Sequence, residues 1–236
     1  MPPLVIAHRG ASALASHENT LEAFQIAIDI KADMAEFDIR RTKDNQLIVF
    51  HDREFNGTTV SEMTYSQMNA LAEKEDYRIP LLSDVLKLCK GKIYLDIEIK
   101  ETGCEERVVD MLLKRFGYGY DEFSIKSFED KVPLTVKQLD KNIRTGLLLG
   151  KSKLTLKKRA SEYFPLKRLK ACRADFVSPE YHFLTWDFIR RMKEGGYDIY
   201  VWTVNKADLM KKMEKKQVEA VITDHPDVAL RLYKKA

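Results

Sequence analysis

Residues 92–100 read KIYLDIEIK, a stretch that alternates apolar with charged side chains. Successive side chains of a β-strand point to opposite faces, so the apolar residues share one face, and Asp96, Glu98 and Lys100 share the other. The apolar face is expected to pack against helices, which leaves the charged face towards the interior of the fold. The stretch therefore predicts a strand of a helix-covered sheet whose inner face carries functional groups.

Strand patterns followed by helix patterns recur along the chain. Eight of them lie near residues 5, 36, 95, 125, 146, 176, 200 and 221. This alternation predicts parallel strands, and eight units predict an α/β fold of the (β/α)8 TIM-barrel type. A doubly wound open sheet is the alternative, but the sequence contains no GxGxxG motif and no P-loop.

The 236 residues suit one barrel domain spanning 1–236, since barrels of this type typically take about 250 residues. Residues 53–80 are expected to form a small insertion after the second strand unit. The first helix is expected over residues 19–30, with Asn19 as its N-cap and Glu22 three residues later. Asp44-Asn45 predicts a hairpin turn between the second strand and the stretch QLIVFHD.

The composition is that of an ordinary soluble globular protein, with 44% hydrophobic and 32% charged residues. The net charge of +4 is too weak by itself to imply a nucleic-acid partner. The three cysteines are scattered and form neither a disulfide framework nor a zinc-binding pattern. The start, MPPLVIAHRG, lacks the features of a signal peptide. We expect a cytoplasmic protein, or a secreted or periplasmic one if a signal peptide has been removed.

Polar side chains collect where the predicted strands end, which is the functional rim of such barrels. They include His8 and Arg9 on the first strand, Glu36 and Asp38 on the second, His51 and Asp52 after its hairpin partner, Glu98 and Lys100 on the third, and Trp202 on the seventh.

Three carboxylates, those of Glu36, Asp38 and Glu98, are costly to bury unless they are paired or bind a metal. Lys100 alone cannot neutralise them. An oxygen-only set favours one divalent cation, Mg²⁺ or Ca²⁺. The alternative is that Glu36 and Asp38 form ion pairs with Arg40 or Lys100.

Eight short motifs resemble, in order and spacing, those of the glycerophosphodiester phosphodiesterase family. They extend from residue 7 to residue 226 and read AHRG, HENTLEAF, EFDIR, IVFHD, LDIEIK, SF, VWTVN and ITDHP. The joint set is specific, although each motif alone is weak. The resemblance implies a (β/α)8 barrel, in agreement with the strand count.

The resemblance also implies roles for eight residues. These are acid-base catalysis by His8 and His51, metal binding by Glu36, Asp38 and Glu98, phosphate contacts by Arg9 and Lys100, and an aromatic wall at Trp202. It implies hydrolysis of glycerophosphodiesters to an alcohol and glycerol phosphate. The substrate's own neighbouring hydroxyl would attack first, giving a cyclic phosphate that water then opens. By itself, His51 fits a hydrogen-bonded structural histidine as well.

The sequence departs from the family pattern in two places. The family usually has proline before Glu-Asn-Thr, where this chain has His17, which we interpret as a loop variant. Residues 53–67, REFNGTTVSEMTYSQ, follow the pattern only loosely. Because that segment shapes the pocket in this family, the alcohol part of the substrate is left open.

Two other functions are considered. One is a phospholipase-like activity on lysophospholipids or phosphoinositides with a similar barrel. The other is a non-catalytic barrel that binds phosphorylated ligands, against which the intact set of two histidines and three carboxylates argues. The partner is expected to be a small phosphodiester and not a nucleic acid. The oligomeric state is left open.

A basic stretch over residues 151–173 carries nine lysines and arginines against one acid, Glu162. Leucines and aromatic residues are interleaved with them. One interpretation is an amphipathic helix on the barrel wall with a solvated basic face. The other is weak contact with anionic head groups or membrane surfaces.

Overall fold

Eight parallel strands close into a barrel in the computed structural model, which describes residues 2–150 and 156–233 and, for residues 156–159, the backbone alone. Helices lie between successive strands and cover the outside of the barrel. The predicted (β/α)8 TIM-barrel fold is confirmed.

The residue ranges of the strands and helices are as follows. The strands are β1 (Leu4–Ala7), β2 (Met34–Arg41), β3 (Leu47–Val49), β4 (Glu54–Phe55), β5 (Thr58–Thr59), β6 (Tyr94–Ile99), β7 (Phe123–Ser127), β8 (Arg144–Leu149), β9 (Phe176–Pro179), β10 (Asp198–Val201) and β11 (Ala220–Thr223). The helices are α1 (Leu21–Asp29), α2 (Tyr65–Ala72), α3 (Leu82–Cys89), α4 (Glu105–Asp110), α5 (Lys131–Leu139), α6 (Leu156–Tyr163), α7 (Leu166–Cys172), α8 (Trp186–Glu194), α9 (Ala207–Lys215) and α10 (Pro226–Tyr233). A π-helical turn, Met111–Arg115, continues α4.

The barrel closes because β1 pairs in parallel with both β2 and β11. The other barrel strands follow in chain order from β6, beside β2, to β11. The doubly wound alternative is therefore wrong, since it requires an open sheet. The short strand β3 pairs antiparallel with the end of β2. Asn45 in the connecting turn is left-handed, with φ of 62°, as the predicted hairpin turn allows for asparagine.

The alternation of β6 divides its side chains as the sequence predicts. Leu95, Ile97 and Ile99 are fully buried in the apolar layer between the barrel and its helices. Asp96 and Glu98 take the other face, towards the barrel interior, where β2 and β7 present charged and polar side chains as well. The barrel interior therefore combines an apolar part with a buried polar network.

Residues 53–80 form the insertion after the second strand unit. The hairpin of β4 and β5, the helix α2 and the adjoining turns surround a small core of their own. Its buried members are Ile48, Val60, Met63, Met68, Ala72 and Ile79. Because Ile48 belongs to β3, the insertion is anchored beside the end of β2 and therefore beside the barrel mouth. The assignment of 1–236 to a single domain stays a prediction.

The first helix begins one residue later than the cap prediction requires. Thr20, not Asn19, is the N-cap of α1, and its Oγ1 accepts a hydrogen bond from the backbone N–H of Ala23 at 3.2 Å. Thr20 has the extended backbone of an N-cap, whereas Asn19 is left-handed with φ of 55°. The prediction for Asn19 was wrong because its side chain bonds to Asp38 instead.

The basic stretch maps onto two helices, α6 and α7, with residues 151–155 outside the described part of the chain. In α7, Leu169 is buried against the barrel wall while Lys167 and Lys170 are exposed. Arg168 forms an ion pair with Asp130. The described half of the stretch thus has the amphipathic character expected of a wall helix.

Among the described residues, no helix combines the length and apolar character that crossing a membrane requires. Cys89, Cys104 and Cys172 are buried and unbonded to one another, which agrees with the absence of a disulfide pattern in the sequence.

Candidate active site

A cavity of about 810 Å³ opens at the carboxyl ends of the barrel strands. All eight residues that the sequence singled out line it, namely His8, Arg9, Glu36, Asp38, His51, Glu98, Lys100 and Trp202. The barrel brings them together because parallel strands end on the same rim. Their location is thus as expected, while their individual roles stay predictions.

The three carboxylates of Glu36, Asp38 and Glu98 converge at the bottom of this cavity. Each offers an oxygen atom, and these oxygens lie within 4.8 Å of one another. All three residues are buried, with at most 6% of each exposed. The pairing of β2 with β6 places Asp38 directly opposite Glu98, while Glu36 lies two residues before Asp38 on the same face of β2.

Lys100 is the nearest cation to this acidic cluster. Its Nζ lies 2.8 Å from Glu98 and 3.1 Å from Asp38. One of the alternative ion pairs considered from the sequence is therefore present. The other is not formed among the described residues, because the guanidinium of Arg40 lies 3.9 Å from Glu101 and its Nε donates to the carbonyl of His51 at 2.9 Å.

Lys126 is a second cation that the sequence interpretation missed. It is buried in β7, where its Nζ lies 2.6 Å from Asp96 and 3.4 Å from Glu36. Ser124, two residues earlier on the same face, donates to Asp96 at 2.7 Å. The alternation that identified the inner face of β6 would have identified Ser124 and Lys126 in the stretch EFSIKS as well.

The pKa values of two acids in the cluster are shifted in opposite directions, downwards for Asp38 and upwards for Glu98. Burial acts to raise the pKa of Asp38, but Lys100, His51 and Arg9 outweigh it and hold that pKa well below its ordinary value. Burial raises the pKa of Glu98 to about 7, with Asp38 and Glu36 adding to the effect and Lys100 opposing it. The two acids therefore differ because Lys100, His51 and Arg9 together outweigh burial at Asp38, whereas burial prevails at Glu98.

The acidic cluster fits a hard divalent cation by two criteria. Its converging donors are carboxylate oxygens only, the type that Mg²⁺ and Ca²⁺ prefer. One oxygen of each carboxylate lies within 4.8 Å of the others, close enough for the three to share one ion. Glu36, Asp38 and Glu98 are thus the described residues that could hold such an ion.

The backbone after β1 is shaped by the His-Arg-Gly sequence. Arg9 is left-handed, with φ of 54°, and its N–H donates to Glu36 Oε2 at 3.1 Å. Gly10 has φ of 75°, and a Cβ there would lie only 2.7 Å from the backbone of Ala23 in α1. Glycine is therefore required for the close approach of this loop to α1. The guanidinium of Arg9 lies 2.6 Å from Glu18 and 3.6 Å from Asp38.

His8 is oriented by a carboxylate from the last strand unit. Its Nδ1 lies 2.5 Å from Asp224, and its Nε2 lies 3.9 Å from Glu36. Asp224 also accepts hydrogen bonds from Ser12 at 3.0 Å and from Asn205 at 2.5 Å. Burial acts to raise the pKa of Asp224, but the hydrogen bond and charge of His8 outweigh it and lower that pKa to about 2.

Asp224 belongs to the motif ITDHP, but the sequence interpretation gave it no role. Its partner His8 lies 216 positions away in the chain, and no local pattern joins the two. Only closure of the barrel between β1 and β11 brings them into contact.

His51 lies on the segment that leaves β3. Its Nδ1 is 2.8 Å from Asp52, and its side chain is about one-third exposed. Burial lowers the pKa of His51, with Asp38 opposing this effect. Both histidines therefore have a carboxylate at Nδ1, which leaves Nε2 for contacts with a substrate.

Trp202 forms one wall of the cavity after β10. Its Nε1 donates to the carbonyl of Ser178 at 2.9 Å, and its ring packs edge-on against Phe128 with 5.8 Å between ring centres. These two contacts hold a large aromatic surface beside the acidic cluster.

Comparison with known proteins relates this chain to one family of phosphodiesterases. The model of the glycerophosphoryl diester phosphodiesterase family matches residues 8–228. The Bacillus subtilis protein YhdW is 31% identical over 96% of this chain and 96% of its own. A glycerophosphodiester phosphodiesterase from Caldanaerobacter subterraneus is 30% identical over 100% of this chain and 99% of its own. A structure of a phosphodiesterase from Oleispira antarctica in complex with the product sn-glycerol-3-phosphate, 21% identical, gives a TM-score of 0.82 and covers 99% of this chain and 98% of that chain.

Proposed function

This chain belongs to the glycerophosphoryl diester phosphodiesterase family, and we propose that it hydrolyses glycerophosphodiesters by acid-base catalysis with one divalent cation. It is a phosphoric diester hydrolase, and its products are an alcohol and glycerol phosphate. One observation carries the proposal: two carboxylate-oriented histidines and three convergent carboxylates line the same cavity.

The phosphate is proposed to bind between the acidic cluster and the cationic side chains of Arg9 and Lys100. A phosphodiester carries one negative charge, and its transition state concentrates more charge on the non-bridging oxygens. A divalent cation held by Glu36, Asp38 and Glu98 would stabilise that charge. The two fixed cations would act in the same direction because they are already held in place before the reaction.

The two histidines are proposed to move the protons. One accepts a proton from the attacking hydroxyl, and the other protonates the departing alkoxide. The contacts of His8 with Asp224 and of His51 with Asp52 support this, because each fixes Nδ1 and orients the ring. Imidazole suits both roles near neutral pH.

A substrate panel tests the activity and the metal requirement together. Purified protein is incubated with glycerophosphodiesters and with lysophospholipids, and the released alcohol is measured after EDTA treatment and after separate addition of Mg²⁺ or Ca²⁺. We expect glycerophosphodiester turnover that EDTA abolishes and that one of the two ions restores. Full turnover after chelation would remove the metal from the mechanism. Release from lysophospholipids alone would favour the phospholipase-like alternative.

Contact of residues 151–173 with anionic membranes stays a prediction. It is tested by liposome binding of the protein and of a variant with Lys157, Lys158 and Arg159 replaced by alanine. Unchanged binding of the variant would reject a membrane role for these side chains. The cytoplasmic location, or a secreted or periplasmic one if a signal peptide has been removed, also stays a prediction.

A further inference from the structure

Lys126 is a buried lysine to which neither the sequence motifs nor the proposed mechanism gives a role. It directly precedes the motif SF and belongs to none of the eight motifs. Only 1% of the residue is exposed, although it lines the active-site cavity. A buried ammonium group is costly unless carboxylates compensate its charge. The carboxylates that Lys126 contacts therefore indicate what the side chain can do.

Asp96 fixes the position of the ammonium group of Lys126. Its Oδ2 lies 2.6 Å from Lys126 Nζ, and its Oδ1 accepts a hydrogen bond from Ser124 at 2.7 Å. Asp96 is fully buried and, unlike Lys126, does not line the cavity. Both of its oxygens are thus used inside the barrel, where they hold the ammonium group in one place.

The same ammonium group also pairs with Glu36. Lys126 Nζ lies 3.4 Å from Oε1 of Glu36, while Oε2 accepts a hydrogen bond from the backbone N–H of Arg9 at 3.1 Å. The terminal torsion of a glutamate side chain is broad, so the chain itself does not fix the two oxygens. Contacts to both oxygens, one from β7 and one from the loop after β1, restrict that torsion.

The two lysines of the site divide its three carboxylates between them. Lys100 pairs with Asp38 at 3.1 Å and with Glu98 at 2.8 Å. Among the described residues, Lys126 is the lysine that forms an ion pair with Glu36. The contact of Lys126 with Glu36 is therefore separate from the contacts of Lys100, which is proposed to bind the phosphate.

Resting on the function proposed above, we propose that Lys126 is a positioning residue for the cation site. Anchored by Asp96, it holds the carboxylate of Glu36 so that one oxygen faces those of Asp38 and Glu98 before an ion binds. It acts through Glu36 and does not touch the substrate. Loss of a group that orients a metal ligand typically weakens metal binding by about 10- to 100-fold. Affinity for the ion is therefore the property that Lys126 controls.

The test removes Lys126 together with its partner. Lys126→Met alone would leave Asp96 buried without a counter-ion, which is strongly destabilising. Asp96→Asn combined with Lys126→Met removes both charges and leaves the net charge of the protein unchanged. The asparagine oxygen can still accept the hydrogen bond from Ser124. Circular dichroism and thermal unfolding verify the fold of this double variant.

The readout is calorimetric titration of the protein with Mg²⁺ and with Ca²⁺ in the absence of substrate. We expect the double variant to bind the ion at least about tenfold more weakly than the wild type. In turnover assays, the ion concentration that gives half the maximal rate should rise by the same factor. The KM for the glycerophosphodiester, measured at saturating ion, should stay at the wild-type value.

Ser124→Ala is the matched control. It removes a hydrogen bond to Asp96 in the same buried network and leaves the contact between Lys126 and Glu36 in place. Its affinity for the ion should equal that of the wild type. An equal loss of affinity in this control would indicate general damage to the barrel interior and would overturn the positioning role.

The other outcomes separate this role from the proposed function. Unchanged or tighter ion binding by the double variant would overturn the positioning role, since tighter binding would mean that Lys126 only competes with the ion. A raised KM at saturating ion would also overturn it and assign Lys126 to phosphate binding. Both results leave the phosphodiesterase function intact. A wild type that binds neither ion would reject the cation site itself, and the role of Lys126 with it.

Discussion

Asp224 shows how one residue can direct the chemistry of another. Its carboxylate holds Nδ1 of His8 at 2.5 Å and is itself held by Ser12 and Asn205. Such a partner sets the tautomer and the direction of the imidazole. We therefore predict that Asp224 is a positioning residue, whose removal affects the rate of the reaction more than the binding of substrate.

We predict that Asp224→Asn lowers kcat by about a hundredfold, a typical size for loss of effective acid-base catalysis, while KM changes little. Steady-state kinetics on glycerophosphodiesters provide the measurement. Ser12→Ala is the matched control, because it removes one hydrogen bond to Asp224 and leaves the contact with His8 in place. Equal losses in the two variants would contradict the positioning role.

The same carboxyl group makes stability depend on pH. Its pKa is lowered from 3.8 to about 2 in the folded protein. A lowered carboxyl pKa contributes stability above the unfolded value and loses it as the pH falls through the folded value. We predict that about 2 kcal/mol of the unfolding free energy is lost between about pH 4 and pH 2 through this group. Urea unfolding across this range should show a shallower decline for Asp224→Asn than for the wild type.

His51 is one of the two histidines proposed to move protons, and we predict that it protonates the leaving oxygen. His51→Ala should lower turnover of alkyl glycerophosphodiesters by at least about a hundredfold without unfolding the protein. A substrate with a p-nitrophenyl leaving group needs no proton donor and should lose much less. A circular dichroism spectrum verifies the fold. Near-normal turnover of the alkyl substrates would exclude His51 from the mechanism, and equal losses on both substrates would exclude it as the acid.

At the scale of single elements, two adjacent residues at the start of α1 make different kinds of contact. Thr20 caps the helix, whereas Asn19 bonds to Asp38 in the acidic cluster. We predict that Thr20→Ala lowers the unfolding free energy by about 1 kcal/mol, the usual cost of a lost N-cap, with kcat/KM nearly unchanged. Asn19→Ala should lower kcat/KM instead. A larger activity loss in Thr20→Ala than in Asn19→Ala would reverse this assignment.

Strand elements explain why most of the rim could be predicted. Side chains alternate strictly along β2 and β6, and parallel strands end on one rim, so the local patterns EFDIR and LDIEIK are sufficient to place their acids. The first residue of a helix is harder to predict from sequence, because several neighbouring polar residues can each serve as the N-cap. Asn19 was assigned to the helix cap since nothing in the local sequence reveals its bond to Asp38, 19 positions away.

At the scale of the whole molecule, the acidic cluster joins two parts of the chain that only the folded barrel brings together. A cation that binds there binds the folded state and stabilises it by mass action. We predict that Mg²⁺ or Ca²⁺ at a hundred times its dissociation constant adds about 2.7 kcal/mol, which raises Tm by about 5–10 °C for a protein of this size. Calorimetry measures the shift. Asp38→Asn should abolish it, and an equal shift in that variant would show that the ion binds elsewhere.

The sequence by itself determined the barrel, the insertion and the eight residues that meet at its mouth, because all of these follow from short-range periodicity and from motifs read along the chain. Only the tertiary structure revealed the partners Asp224 for His8 and Lys126 for Glu36, and the stacking of His17 on Tyr77. These contacts join residues that are far apart in the chain, and their geometry is set by barrel closure and by the packing of the insertion. Local pattern carries no information about such distances, so they emerge only when the chain folds.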